Sequence, residues 1–242
     1  MKYFSIPNLP DRQAKGVVTD YRISAESMAE LKRLGIEVFK TAKIETLYDA
    51  VCGHTDMQLY HLGENRFIAA PEAYGYYRSL LPESQIIKGS KPLCGKYPHD
   101  VLYNAAAVGN YLICNAKYTA TEITENSGKI IINTAQGYAK CSVCIVGKNA
   151  VITSDDGIYN TAKKHMDVLK IEQGYIKLNG VSYGFIGGAT GLIAPNILAV
   201  NGNIKMHPDC DNITAFCKNH RVDILSLKKD IMEDVGSIIP IF

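Results

Sequence analysis

Four short apolar strands, each entered through a tight turn, recur along the chain. Arg66–Ala70 follows Gly63-Glu-Asn65, and Tyr111–Asn115 follows Gly109-Asn110. Ala150–Ser154 follows Gly147-Lys-Asn149, and Ile197–Asn201 follows Ala194-Pro-Asn196. Their marker residues Phe67, Leu112, Val151 and Leu198 lie 45, 39 and 47 residues apart. A period of this size is the mark of a repeat architecture, since one such unit cannot bury its apolar face alone. Glycine and asparagine supply the positive φ that tight hairpins need. Each marker therefore predicts the second strand of a β-hairpin.

Between hairpins come a helix and a lone strand. Ser24 is placed to cap a helix over Ala25–Leu34, closed by Gly35, with Met28, Leu31 and Leu34 on its buried stripe. Helices are also predicted over Glu72–Leu81, Ala120–Asn126, Gly157–His165 and Asn212–Asn219. The strands that follow are Ile36–Lys40, Gln85–Lys88, Lys129–Asn133, Asp167–Ile171 and Val222–Ser226. The unit is helix, strand, hairpin, in blades 21–71, 72–116, 117–156, 157–203 and 204–242. An N-terminal strand within 1–6 is expected to complete the fifth unit and lock a single-domain ring, which leaves few exposed strand edges.

Bulk properties narrow the function classes. With 26 basic and 24 acidic side chains and no basic run, nothing points to nucleic acid. No apolar window reaches bilayer length, and the first residues lack the apolar core of a signal peptide, so no membrane association is expected. Seven scattered cysteines read as reduced thiols in the cytoplasm. Cys141-Ser-Val-Cys144, read as strand, sends its two thiols to opposite faces, which suits chelation poorly.

The repeat resembles the pentein fold, the pseudo-fivefold α/β-propeller of ββαβ repeats found in guanidino-group-modifying enzymes. The segments His54-Thr-Asp-Met-Gln58, Gln136-Gly-Tyr-Ala-Lys-Cys-Ser142 and Gly184-Phe-Ile-Gly-Gly188 are similar to those of an uncharacterised bacterial subgroup of that superfamily. The resemblance implies an axial pocket where the first hairpin strands of the five units begin. By position, Asp56 and Asp100 look like the carboxylates that grip a guanidinium, with His54 and His99 orienting them. Tyr138 stands near the place of the family's third-unit histidine, and Ser237 or Ile238 where its fifth-unit cysteine belongs. Lys140, Gly187, Gly188 and Ser237 complete the expected ligand-binding set. Without the usual cysteine and histidine, the first reading is a binder of a small cationic, guanidino or amino-acid-like ligand, with no cofactor and no metal.

Two other readings stand beside it. Cys141, next to Lys140, is a candidate relocated nucleophile with His54 or His99 as base, since a neighbouring ammonium raises the thiolate fraction. A non-catalytic interaction module is the third reading, and homo-oligomerisation is open under all three. Cys52 and Cys94 occupy matching places in two units and with His54 and His99 leave a mixed-ligand metal site open. Plainer readings also apply. His54 and Asp56 fall two apart on one strand face, and His61 belongs to the surface of a hairpin tip. The glycines of 184–191 serve close packing, Asp155 caps a helix, and Tyr76 and Tyr77 cannot both face the core.

Overall fold

The computed structural model describes residues 2–242. In chain order, β1 (Gly16–Thr19), α1 (Ala25–Arg33) and β2 (Glu37–Lys40) lead into α2 (Thr55–Gln58). Next come β3 (Leu59–Gly63), β4 (Arg66–Ala69), α3 (Tyr74–Leu80) and β5 (Gln85–Lys88). They are followed by β6 (Ala106–Val108), β7 (Tyr111–Cys114), α4 (Thr121–Asn126) and β8 (Ile130–Asn133). Then come α5 (Ala139–Ser142), β9 (Cys144–Gly147), β10 (Ala150–Thr153), α6 (Asp156–Ala162) and β11 (Asp167–Lys170). The last stretch holds β12 (Thr190–Ala194), β13 (Ile197–Val200), α7 (Cys210–Asn219), β14 (Asp223–Ser226) and β15 (Ile239–Pro240).

Among the described residues these strands form five three-stranded sheets of one plan. A hairpin pairs antiparallel, a helix crosses over, and the third strand returns parallel to the hairpin's second strand. The marker residues hold the same register in every sheet. Phe67 pairs with Ile86, Leu112 with Ile131, Val151 with Val168 and Leu198 with Ile224. Each marker is buried, because the middle strand is covered on both faces and reads as a continuous apolar run. Gly63, Glu64 and Gly109 take the left-handed backbone expected of the turns, whereas the turns at 147–149 and 194–196 do without it.

The fifth sheet joins the two ends of the described chain. β15 pairs antiparallel with β1, and β1 pairs parallel with β2, with Val17 opposite Val38 in the marker position. Here the sequence expectation is corrected. The closing strand is Gly16–Thr19; residues 2–6 form no strand. Asn8 is left-handed and Pro7 and Pro10 lack N–H groups, so a ladder cannot run on there. Two backbone bonds still tie the segment down: Phe4 N–H donates to Ile241 O (3.1 Å), and Glu64 N–H donates to Phe4 O (2.7 Å). The expected blade limits are also offset from the sheets. A crossover strand returns to the hairpin before its helix, so β5 belongs with β3 and β4, inside the expected second blade's limits.

Each helix lays one stripe on its sheet. Ser24 accepts from Ser27 N–H at the start of α1, and Leu31 is fully buried. On α3 Tyr77 is buried and Tyr76 is exposed. No helix among the described residues is long and apolar enough to cross a membrane.

His61 departs from its surface reading. It lies within β3, buried and stacked on Phe67 at 4.5 Å, with Nε2–H donating to Glu64 O at 2.9 Å. Burial pulls its pKa down to about 4 from 6.5, against that one hydrogen bond. A base depressed in the fold is protonated first in the unfolded chain. Its stabilising contribution is therefore complete above pH 6.5 and is lost as pH falls toward 4. A full proton difference over that window amounts to about 3 kcal/mol. Urea melts between pH 7 and pH 4 should show wild type losing about that much more stability than His61→Gln; equal losses in the two proteins would refute the assignment.

Candidate functional site

Five blade entries meet at one point. The one-turn helices α2 and α5 immediately precede β3 and β9. Residues 101–105 occupy the same place before β6, 186–189 before β12, and 234–238 before β15. Each entry carries a group into a shared buried network. Asp56 Oδ1 accepts from Asn104 Nδ2 (3.1 Å) and from the Cys141 thiol (3.1 Å), and Oδ2 accepts from Ser237 Oγ (2.7 Å). Ser237 Oγ also lies 3.0 Å from Gly187 O and accepts from Lys140 Nζ at 2.8 Å. Asn104 Oδ1 accepts from the backbone N–H groups of Lys140 (2.7 Å) and Cys141 (3.3 Å), and Nδ2 donates to Cys141 Sγ (3.1 Å).

Close packing makes room for these contacts. A Cβ on Gly188 would come within 1.9 Å of Asp234 Oδ1, and one on Gly187 within 2.4 Å of Lys140 O and Val143 O. Ser237 stands at φ 78, a left-handed conformation that costs a non-glycine residue roughly 1–3 kcal/mol. Electrostatics follow from the lack of water. Burial raises the Asp56 carboxyl, opposed by His54 and Lys140. Burial lowers Lys140, opposed mainly by Asp56. The Cys141 thiol is held well above its ordinary range by burial and then by the carboxylates of Asp56 and Asp234.

A cavity of about 240 Å³ opens onto this network. Its polar floor is His54, Cys141 and Asp234; Tyr48, Tyr138, Tyr183 and Phe185 form aromatic walls, with Val51, Leu178 and Val181 between them. Tyr138 lies nearly parallel to Phe185 at 6.1 Å, its hydroxyl donates to Asp100 Oδ2, and the Tyr48 hydroxyl lies 3.2 Å away. Burial, and then those two hydrogen bonds, raise the Tyr138 phenol. Asp234 accepts from Phe185 N–H and Gly236 N–H, both at 2.9 Å, and burial pushes its carboxyl up to about 6. His54 Nδ1 lies 3.7 Å from Asp234 Oδ1, and neither ring nitrogen has a hydrogen-bond partner. Burial lowers its pKa, against the pull of the Asp56 and Asp20 carboxylates. One donor atom from each of His54, Cys141 and Asp234 lies within 4.8 Å of the other two.

Several expected positions are revised. His54 and Asp56 are not on a strand: His54 precedes α2 and Asp56 lies within it, which turns the imidazole to the cavity and the carboxylate behind Cys141. Asp100 sits behind Tyr138, so neither expected carboxylate borders the cavity; Asp234 does. Cys141 is on α5, not in an apolar strand. Lys140 turns to Ser237, and Gly187 and Gly188 are covered by protein atoms. His99 and Cys94 are exposed, while Cys52 is buried, 3.8 Å from the Tyr21 hydroxyl. They do not gather around His54. Asn104 and the walls Tyr48 and Tyr183 were not singled out from the sequence, whereas Phe185 and Asp234 lie in the segments expected at the axis from the fourth and fifth units, with no role given to either. Aligning the residues just ahead of each first hairpin strand would have found Asn104.

A family model described as "Family of unknown function (DUF6873)" matches residues 18–239. The chain belongs to that family. None of the curated proteins matches it. For this DUF6873 member, several solved structures share the fold. An amidinotransferase of the saxitoxin biosynthetic pathway from Microseira wollei superposes with TM-score 0.58 at 11% identity, covering 93% of this chain and 91% of the other. DDAH from Pseudomonas aeruginosa gives TM-score 0.58 at 10% identity, covering 95% and 100%. An agmatine deiminase from C. jejuni gives TM-score 0.56 at 11% identity, covering 94% and 90%. The DUF6873 chain has the pentein-like fold expected from its repeat.

The network makes one demand on stability. Asn104→Ala leaves the Lys140 and Cys141 N–H groups and part of Asp56 unpaired in a dry interior, at about 1–3 kcal/mol for each group left unsatisfied. Urea unfolding should show a loss of roughly 2–5 kcal/mol; a loss below about 1 kcal/mol would mean that water replaces the amide.

Proposed function

We propose that the cavity binds a small ligand carrying a guanidinium or amidinium group and that Cys141 attacks its central carbon. The observation that carries this reading is the Cys141 thiol on the cavity floor, hydrogen-bonded at 3.1 Å to the buried Asp56 carboxylate, with His54 and Asp234 beside it. A nucleophile in hydrogen-bond contact with a base that is itself oriented by further groups is the arrangement covalent catalysis needs. Here Ser237 and Asn104 orient Asp56. The Asp234 carboxylate and four aromatic faces suit a flat delocalised cation.

In the step envisaged, Asp56 takes the thiol proton as the carbon–sulfur bond forms. A carbon–nitrogen bond then breaks, and the departing amine leaves with the proton that Asp56 took, relayed by the His54 imidazole. Water or an acceptor amine then attacks the same carbon, and the proton it gives up returns to the sulfur as the carbon–sulfur bond breaks, so the thiol is regained. The neighbours' names support the substrate class: amidinotransferases, an agmatine deiminase solved with substrate bound, and DDAH solved with citrulline.

Binding without turnover is a second reading. It is favoured by Ser237 and Tyr138, which stand where the superfamily's nucleophile and base are expected, and by the burial of Cys141. A haloacetamidine separates the two. Mass spectrometry should find the amidine on Cys141 in preference to the exposed Cys94, and Asp56→Asn should slow labelling by roughly a hundredfold when both proteins are compared well below their own melting temperatures. Labelling of Cys94 alone, with melting shifts still produced by a guanidine panel, would leave only the binding reading; no labelling and no shifts would end both.

A further inference from the structure

We propose that His54, Cys141 and Asp234 form a binding site for a divalent transition ion of the zinc type, open on its fourth side to the cavity. The three donors come from three blades, and all three side chains are buried. A tetrahedral zinc holds sulfur at about 2.3 Å and nitrogen and oxygen at about 2.0–2.2 Å, which places its ligands roughly 3.3–3.7 Å apart. The three donor atoms lie within 4.8 Å of one another, and His54 Nδ1 and Asp234 Oδ1 are already 3.7 Å apart.

The independent observation is the imidazole itself. His54 is 1% exposed, faces the cavity, and has no partner for either ring nitrogen. Buried polar groups are almost always hydrogen-bonded, so an orphaned imidazole needs a reason. An ion at the focus of the three side chains supplies one.

The surroundings match what metal ligands require. Outer partners normally fix a ligand's orientation. Asp234 is held by the N–H groups of Phe185 and Gly236, and Cys141 by Asn104. Asp56 Oδ1, 3.1 Å from the sulfur, accepts the proton that the thiol loses as the metal–sulfur bond forms. No electron is transferred. One thiolate and one carboxylate neutralise the ion. Thiolate and imidazole together select zinc, cobalt or copper over calcium and magnesium, which take oxygen donors. Three protein ligands with an open position facing a cavity are the pattern of a site that also takes a small molecule.

The site stands without the thiol chemistry proposed above. One consequence does rest on that reading: an ion bound to Cys141 Sγ occupies the nucleophile, so metal and haloacetamidine exclude each other.

Metal-free full-length protein titrated with cobalt and with zinc tests the site. One ion per chain should bind by equilibrium dialysis. The cobalt form should show a thiolate-to-metal charge-transfer band in the near ultraviolet. Cys141→Ser should lose the band and the stoichiometric ion, and His54→Ala the ion, whereas Cys94→Ser and Cys52→Ser should keep both. Because His54→Ala could unfold the chain, the near-isosteric Cys141→Ser is the deciding variant, compared at equal melting temperature. Binding that survives Cys141→Ser, a band that disappears in Cys94→Ser, or no stoichiometric ion at all overturns the proposal. Amidine labelling of the metal-free protein is read separately. Labelling without ion binding removes this site alone, and ion binding without labelling removes the nucleophile alone.

Discussion

Asp56 is a carboxylate with almost no access to water, and the centre of the molecule is organised around that fact. An uncompensated charge there would cost several kcal/mol. It is met instead by an amide from the second blade, a thiol from the third and a hydroxyl from the fifth. Lys140 adds its ammonium one step further out, through Ser237. None of these donors is near Asp56 in sequence. The carboxylate is therefore tolerable only when the blades are assembled in order. The network acts as a test of closure, and hydrophobic burial, which is non-directional, could not set that test alone.

The same network explains why five backbone units of one plan carry different side chains at equivalent places. If every blade entry held a carboxylate, the axis would be a cluster of like charges. If every entry held a glycine, there would be nothing to pair. The chain places Asp56, Asn104, Cys141, Gly187 and Ser237 at the five entries, a mixture of acceptor, amide, thiol, bare backbone and hydroxyl. The glycines are as necessary as the polar groups, since any side chain on Gly188 would displace Asp234 from the cavity floor.

How much of this was legible in the sequence depended on the range of the cause. The hairpin markers were readable because turn chemistry and burial of the middle strand act within a few residues, and their registers agree from sheet to sheet. Gly16–Thr19 was not, because its partner β15 is at the other end of the chain and its apolar run is only two valines long. The one-turn helices α2 and α5 are shorter than any helical period can reveal. Read as strand, His54 and Asp56 share a face and Cys141 falls in a strand; as one-turn helices, the two segments send His54 and Asp56 to different sides and lift Cys141 onto α5. Cys141 was visible as chemistry but not as geometry. Asp234 was legible as a polar group at the fifth entry but not as the carboxylate of the cavity floor, because the groups that hold it there are backbone N–H groups, which carry no sequence signature.

The cavity walls follow from where the repeat is free to vary. The second and third strands of every sheet are four residues long, but the connectors between blades differ in length. Tyr48 and Val51 come from the connector before α2, Tyr138 from the one before α5, and Leu178, Val181, Tyr183 and Phe185 from the long one between β11 and β12. That last connector accounts for the spacing of 47 residues between Val151 and Leu198, against 39 between Leu112 and Val151. Floor and walls are thus coupled through backbone and free in side chain. The floor is built from blade entries, and the long connector helps to hold it through the Phe185 N–H on Asp234, a bond that does not depend on which side chain position 185 carries. An arrangement of this kind lets one rigid set of thiol, imidazole and carboxylate be offered to different ligands by altering only the aromatic residues above it.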